Sequence, residues 1–490
     1  MYKLTPVQSN KWAVLSVVTL VSFITNLDAT IVVIGLPSIM EDLRIPINIG
    51  MWTITAFYIM STLFLLPAGR WSDMLGTKRI FIWGLALFTI STALCGLAIS
   101  GATLIGARLL QGTGAAMAMA SATPILIRTF PPNQLGIALG INNISWVTGS
   151  LIGPVIGGAL IGGFGWRSIF FVAVPVGVIG LIAGLLVLKN TPPIEKGKTD
   201  WPGILTFGSG LVALLVALSE GHSWGWTSVH TLSLFATALL FWIAFVLIEL
   251  RVRHPLFPLS LFTYRNYSIG LGITMSYCIG YFAVTILLML YLQGAHRLSP
   301  LEAGLLLIPL SIPQLFTAPF GGKLADRFGP GRMILLGSFL IGSALLLLGQ
   351  LGSQLSSMAV IIPLLIISAA TGLSWPSLAK AVLSAAPQER AGSASGMFWT
   401  VYEMCRAISQ ALSLVVVQLS VKSSSVLPLF SETGAGEIAQ SKSDLIYATN
   451  NGFRFFAIFF AIAIVLGFFL MRPQWKKDSW KEKKIARQSG

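Results

Sequence analysis

Apolar residues in this chain come in long unbroken runs separated by short polar stretches, and strict alternation of polar and apolar positions is rare. Fourteen runs can be marked, roughly at 12–36, 50–68, 80–99, 103–126, 135–161, 168–188, 201–219, 229–249, 267–292, 300–320, 333–350, 357–379, 392–419 and 452–471. A helix of about 20 apolar residues matches the hydrocarbon thickness of a bilayer, so each run predicts a membrane-spanning helix. A transmembrane β-barrel would need segments of about ten residues with alternating polarity, and runs such as Phe455 to Leu470 exclude it. The pattern predicts an all-α membrane protein with fourteen spans, the tenth bent by Pro309, Pro313 and Pro319. Two polar interruptions stand out. Asn190 to Thr199, with Pro192 and Pro193, reads as a linker, and Ser420 to Ala448 as an extended loop.

Composition agrees: 55% of the 490 residues are hydrophobic and 10% charged, with a mean hydropathy of +0.81, a balance that no soluble domain needs. The net charge of +15 would suit nucleic acid only if the basic residues gathered on one exposed face. Their placement points elsewhere. With the N-terminus inside, only Arg44, Arg167, Arg297, Lys422, Lys442 and Arg454 fall outside, and Arg108 and Arg406 lie within runs. That asymmetry is the positive-inside rule, and it puts both termini on the cytoplasmic face of the cell membrane. The basic tail Lys476 to Arg487 is then expected to meet anionic headgroups rather than nucleic acid. Cys95, Cys278 and Cys405 each sit in a run and the four histidines are scattered, so neither a disulfide framework nor a metal site follows. The first run is too long and too polar at its centre for a cleaved signal peptide and is expected to remain as a helix. Gly197-Lys198-Thr199 matches the end of a phosphate loop, but position 192 is proline where that loop needs glycine, so nucleotide binding is not expected.

Candidate chemistry lies in the few polar residues inside the runs. A lone acid in mid-membrane costs about 2.5–3.5 kcal/mol unless it is protonated, paired or facing water. Asp28, within Asn26-Leu27-Asp28-Ala29-Thr30, is therefore expected to line a cavity, either as a proton-handling group or as a hydrogen-bonded structural carboxyl. Arg108 needs a carboxylate or carbonyl partner for the same reason. Glu403 and Arg406 are three apart, share a helix face and can pair. Gly149, Gly153 and Gly157 form a stripe without side chains, next to Pro154 and Gly158, where another helix can approach closely. Trp375, Phe398, Trp399 and Tyr402 can stack on a planar ligand or simply pack, and Asn26, Asn142 and Asn143 add polarity nearby. Finally, the turn Gly69 to Arg79 recurs as Gly322 to Arg332, keeping Gly69, Asp73, Gly76 and Arg79 in register with Gly322, Asp326, Gly329 and Arg332. Such a repeat implies two homologous halves.

These motifs together resemble the fourteen-span drug:proton antiporters of the major facilitator superfamily. Gly149-Ser150-Leu151-Ile152-Gly153-Pro154-Val155-Ile156-Gly157-Gly158 is similar to their fifth-helix antiporter signature, and Leu27-Asp28-Ala29-Thr30 to their first-helix motif. Arg108-Leu109-Leu110-Gln111-Gly112-Thr113-Gly114 matches R-x-x-Q-G-x-G, and the repeated turn matches the superfamily's loop signature, weaker in the second half where Gly331 replaces a basic residue. The continuation after Arg406 departs from the usual glycine-rich pattern. The resemblance implies a major facilitator fold of two six-helix bundles plus two extra helices: a cytoplasmic start at 1–11, a first bundle at 12–188, a linker with the extra pair at 189–266, a second bundle at 267–472 and a basic tail at 473–490. It implies proton-coupled efflux of hydrophobic or cationic small molecules by a monomer in contact with lipid, with Asp28, Glu403, Arg108 and Arg406 in proton coupling, Asp73 in a latch between halves, no cofactor beyond the proton gradient and no enzymatic activity. The alternatives are a dedicated exporter of one metabolite or antibiotic, and a membrane scaffold or sensor.

Overall fold

A computed structural model describes residues 10–190, 200–252, 255, 257, 259–386, 391–420 and 435–471. The described residues form helices and connecting turns, with no strand among them. The first half comprises α1 (Lys11–Leu43), α2 (Ile47–Leu75), α3 (Thr77–Gly96), α4 (Gly101–Thr129), α5 (Pro132–Phe164), α6 (Ser168–Phe171) and α7 (Ala173–Val187). A pair follows, α8 (Trp201–Trp224) and α9 (Val229–Glu249). The second half comprises α10 (Arg265–Met289), α11 (Pro300–Leu307), α12 (Ile312–Phe328), α13 (Pro330–Leu348), α14 (Ser357–Leu383), α15 (Ala391–Ser420) and α16 (Ala435–Met471). Twelve helical stretches among the described residues are long and apolar enough to cross a membrane, with α6–α7 and α11–α12 each read as one. The chain is a multi-pass membrane protein.

Helix limits follow local chemistry. The Asn10 side chain accepts from Trp12 N at the start of α1, and Asp200 accepts from Gly203 N at the start of α8. Reciprocal capping boxes open α4, between Ser100 and Thr103, and α11, between Ser299 and Glu302. The tenth run breaks at its prolines into α11, a tight turn at Ile308–Leu310, and α12. Gly76 ends α2 at φ +98°, and Gly329 ends α12 at φ +86°, both in a region that a side chain would strain. These two glycines hold the same place in the repeated turn.

The repeat extends to packing. In the first half α3 lies on α4, α2 on α4, α3 on α7 and α1 on α5. In the second, α13 lies on α14, α12 on α14, α13 on α16 and α10 on α15. The halves meet along α2 with α15 and along α5 with α11, and Gln293 Nε2 donates to Ile34 O across them at 3.3 Å. The glycine stripe explains two of the closest approaches. A methyl at Gly149 would lie 2.8 Å from Phe23 O, and one at Gly153 or Gly157 would collide with Thr30 or Ile31, so all three face α1. Gly158 faces the other half. A methyl there would strike the backbone of Leu301, and one at Gly304 the backbone of Pro154. α8 packs on α9 and touches α2 and α15, whereas α9 leaves Val229, Leu239 and Leu240 exposed to the surroundings.

Several boundaries differ from the sequence expectation. α16 begins at Ala435, well before the expected span, so the second part of the expected 420–448 loop is helical. Polar residues such as Lys442 and Asp444 end the hydrophobic run there without ending the helix. The sixth run divides at Val172 into α6 and α7. The N-terminal residues to 9, the linker 191–199, loop residues 421–434 and the basic tail lie outside the described residues, as do the side chains of Asp73, Asn143 and Asp326.

Candidate functional site

Two buried acid–arginine pairs and one central cavity hold most of the polar chemistry in the membrane region. Asp28 on α1 and Arg108 on α4 are both fully buried, with Arg108 Nη1 donating to Asp28 Oδ2 at 2.6 Å. The other carboxylate oxygen accepts from Gln111 Nε2 at 2.9 Å. Arg108 Nε donates to Thr53 O at 2.9 Å, Arg108 Nη1 also donates to Gln111 Oε1 at 2.6 Å, and Gln111 Nε2 also donates to Thr92 Oγ1 at 2.7 Å. The guanidinium lies 4.5 Å from the Phe57 ring centre. Asp28, Arg108 and Gln111 thus form one network that ties together α1, α2, α3 and α4. Asp28 was expected to line a cavity; it sits instead within the first half, and the residues lining the central cavity do not include it. The physical reason is its partner: Arg108 and Gln111 satisfy both oxygens, so no contact with water is needed.

The second pair is looser. Glu403 and Arg406 approach to 4.0 Å along α15 with side chains 5% and 7% exposed, beyond hydrogen-bond range. Glu403 Oε2 and Arg406 Nε lack partners. Arg406 is held by aromatic faces instead, 4.4 Å from the Tyr58 ring centre and 4.8 Å from that of Phe282. Tyr58 donates to Ala29 O at 3.1 Å. Adjacent residues of α2, Phe57 and Tyr58, therefore touch the arginines of the two pairs.

The cavity lies between the halves and holds about 1360 Å³ of empty space, its open mouth included. Asn26, Trp375, Trp399 and Tyr402 line it. Phe398 does not. It is fully buried behind Trp375 and Trp399, with ring centres 5.7 and 5.3 Å away. Asn142 is also away from the lining and accepts from Ser22 Oγ at 2.9 Å. The structure adds lining residues that sequence reading missed: Tyr58, Trp146, Tyr277, Tyr281, Phe282 and Gln410. Tyr277 and Tyr281 are four apart on α10, a spacing that could have flagged a shared aromatic face. Trp146 of α5 and Trp399 of α15 meet across the halves at 6.0 Å.

Of the residues expected to act in conformational change, Gly149, Gly153, Pro154, Gly157 and Gly158 fall on α5 against α1 and α11. Gly76 forms the φ-positive turn. Gly69 lies in α2, where an added methyl would meet nothing within 4 Å, Arg79 is exposed at the start of α3, and the neighbouring Arg70 donates to Pro255 O beyond α9. Among the described residues no group of three or more His, Cys, Asp or Glu could hold a metal ion.

Residues 18–410 match a family model, Major Facilitator Superfamily. The chain belongs to that superfamily. Superfamily members are transporters rather than enzymes. The tetracenomycin C resistance and export protein of Streptomyces glaucescens is 32% identical over 79% of this chain and 72% of its own. A multidrug transporter of Bacillus subtilis is 31% identical over 79% and 71%, and a riboflavin transporter of Clostridioides difficile 33% over 69% and 74%. A bacterial homologue of the human lysosomal transporter Spinster shares the fold at a TM-score of 0.65 and 18% identity, covering 95% of this chain and 97% of its own.

Proposed function

We propose that the protein exports hydrophobic or amphipathic small molecules across the cytoplasmic membrane in exchange for protons, by alternating access of two six-helix bundles. The observation that carries this reading is a cavity lined by both halves and flanked by two buried acid–arginine pairs. Counting α4 and α5 with the twelve stretches gives fourteen spans, six plus two plus six, with both termini cytoplasmic. The first bundle is 12–188 and the second 267–472, with α8 and α9 between them. The monomer is the transporting unit.

A proton shifts the balance between two facing states only if its affinity differs between them. Asp28 is the first candidate, because its carboxylate accepts from Arg108 and Gln111 of α4, which in turn bond to α2 and α3, so its protonation acts on the core of the first bundle. Glu403 is the second. One inward charge supplies about 2.3 kcal/mol per 100 mV, enough to sustain roughly a fifty-fold gradient of substrate. A dedicated transporter of one metabolite is the second reading, favoured by the named riboflavin carrier among the relatives.

Proteoliposomes loaded with a pH indicator and offered a panel of planar dyes and metabolites test the proposal. Proton movement elicited by many compounds supports a broad exporter, and movement elicited by one supports the dedicated carrier. Absence of movement with every compound removes both.

A further inference from the structure

We infer that the cavity takes planar aromatic compounds bearing an anionic or strongly accepting oxygen group, and disfavours cations. This rests on the transporter reading and narrows its substrate class. Among the described lining residues Arg406 is the one formal charge, and it is positive. The ring faces of Tyr58 and Phe282, where a ligand cation would gain most, are already occupied by its guanidinium.

Arg406 also presents an unmet need. Its Nε lacks a partner although the residue is only 6% exposed, and Gln410 Oε1 lacks one at 3% exposed. Gln410 lies four residues on, hence on the same face of α15, and both residues border the cavity. A buried polar atom without a partner is costly, so a ligand that supplies one is selected. Arg406 Nε calls for an acceptor, and Gln410 Oε1 for a donor beside it. Glu403 does not saturate the guanidinium at 4.0 Å.

The rest of the wall suits flat rings. Trp375 sits 5.8 Å from Tyr277 and 5.3 Å from Tyr402, and Tyr277 stacks with Tyr281 at 6.2 Å. Offset stacking on such a wall rewards conjugated planar ligands over globular ones of equal apolar area. A two-ring compound with adjacent carboxylate and hydroxyl groups meets every one of these features.

Binding to the full-length protein in nanodiscs, read by tryptophan quenching, tests the inference with three probes of like size: 3-hydroxy-2-naphthoate, its methyl ester, and the cation N-methylquinolinium. The wild type is expected to bind the anion about tenfold more tightly than the cation, a difference of about 1.4 kcal/mol, with the ester between them. Arg406→Gln is expected to weaken the anion by about tenfold and the ester by less than about twofold, while Arg406→Lys keeps the anion first. The inference is overturned if the wild type binds the cation as tightly as the anion, or if Arg406→Gln weakens all three probes alike. The wild-type order decides even if a variant does not fold. A wrong order with pH-driven transport intact counts against this inference alone, whereas loss of transport with the order intact counts against the transporter reading.

Discussion

Arg108 has no exposed surface, so its stability depends on what surrounds its guanidinium: Asp28, Gln111, Thr53 O and the Phe57 ring. Removing one partner of a buried pair leaves an uncompensated charge, which costs about 3–5 kcal/mol, whereas replacing both by apolar groups is far milder. Asp28→Ala is therefore expected to lower the thermal midpoint of the purified protein sharply, and Asp28→Ala with Arg108→Met to recover most of it without recovering proton coupling. A double variant less stable than either single one would contradict this. Only part of this arrangement is legible in the chain. The need for a partner at Arg108 follows from its place in an apolar run, but Asp28 lies 80 residues away on another helix and no spacing rule joins them. Glu403 and Arg406 share one helix, so three residues of separation suffice to bring them together. Tyr58, one of several aromatics in the second run, and Trp146, the lone aromatic of the fifth, escaped notice because only tertiary packing turns them toward the cavity.

At the scale of elements, α5 serves two neighbours at once. Successive residues of a helix point about 100° apart, so Gly157 faces Ile31 of α1 while Gly158 faces Leu301 of α11. The glycine spacing was legible from sequence; the division between partners was not, because it depends on how the halves are docked. Gly158→Leu is expected to force α5 and α11 apart, costing about 1–3 kcal/mol by overpacking and abolishing transport at retained expression. Gly162→Leu, with nothing within 4 Å of the added carbon, serves as the comparison and is expected to transport normally. Equal loss in both variants would remove the special role of this contact. The early start of α16 has a similar lesson. Hydropathy registers the thickness of lipid, while a helix continues into a polar layer as long as its backbone bonds are made and its side chains meet water.

On the scale of the whole molecule, the two halves repeat one another in helix pairing and in the φ-positive glycine of the turn, yet differ in their charges. The first half keeps both oxygens of Asp28 bonded and its acid–arginine pair apart from the cavity, while the second half brings an arginine to the cavity wall. Such a division lets a proton at Asp28 and a substrate in the cavity act on one conformational equilibrium from separate places. The direct measurement is the steady-state distribution of the neutral methyl ester probe across proteoliposomes at zero membrane potential, as the imposed pH difference is varied. If one proton exchanges for one molecule, the gradient should change about tenfold per pH unit, and should lose that dependence when Asp28→Asn is combined with Glu403→Gln. A wild-type gradient indifferent to pH, or an undiminished slope in the double variant, would contradict the account.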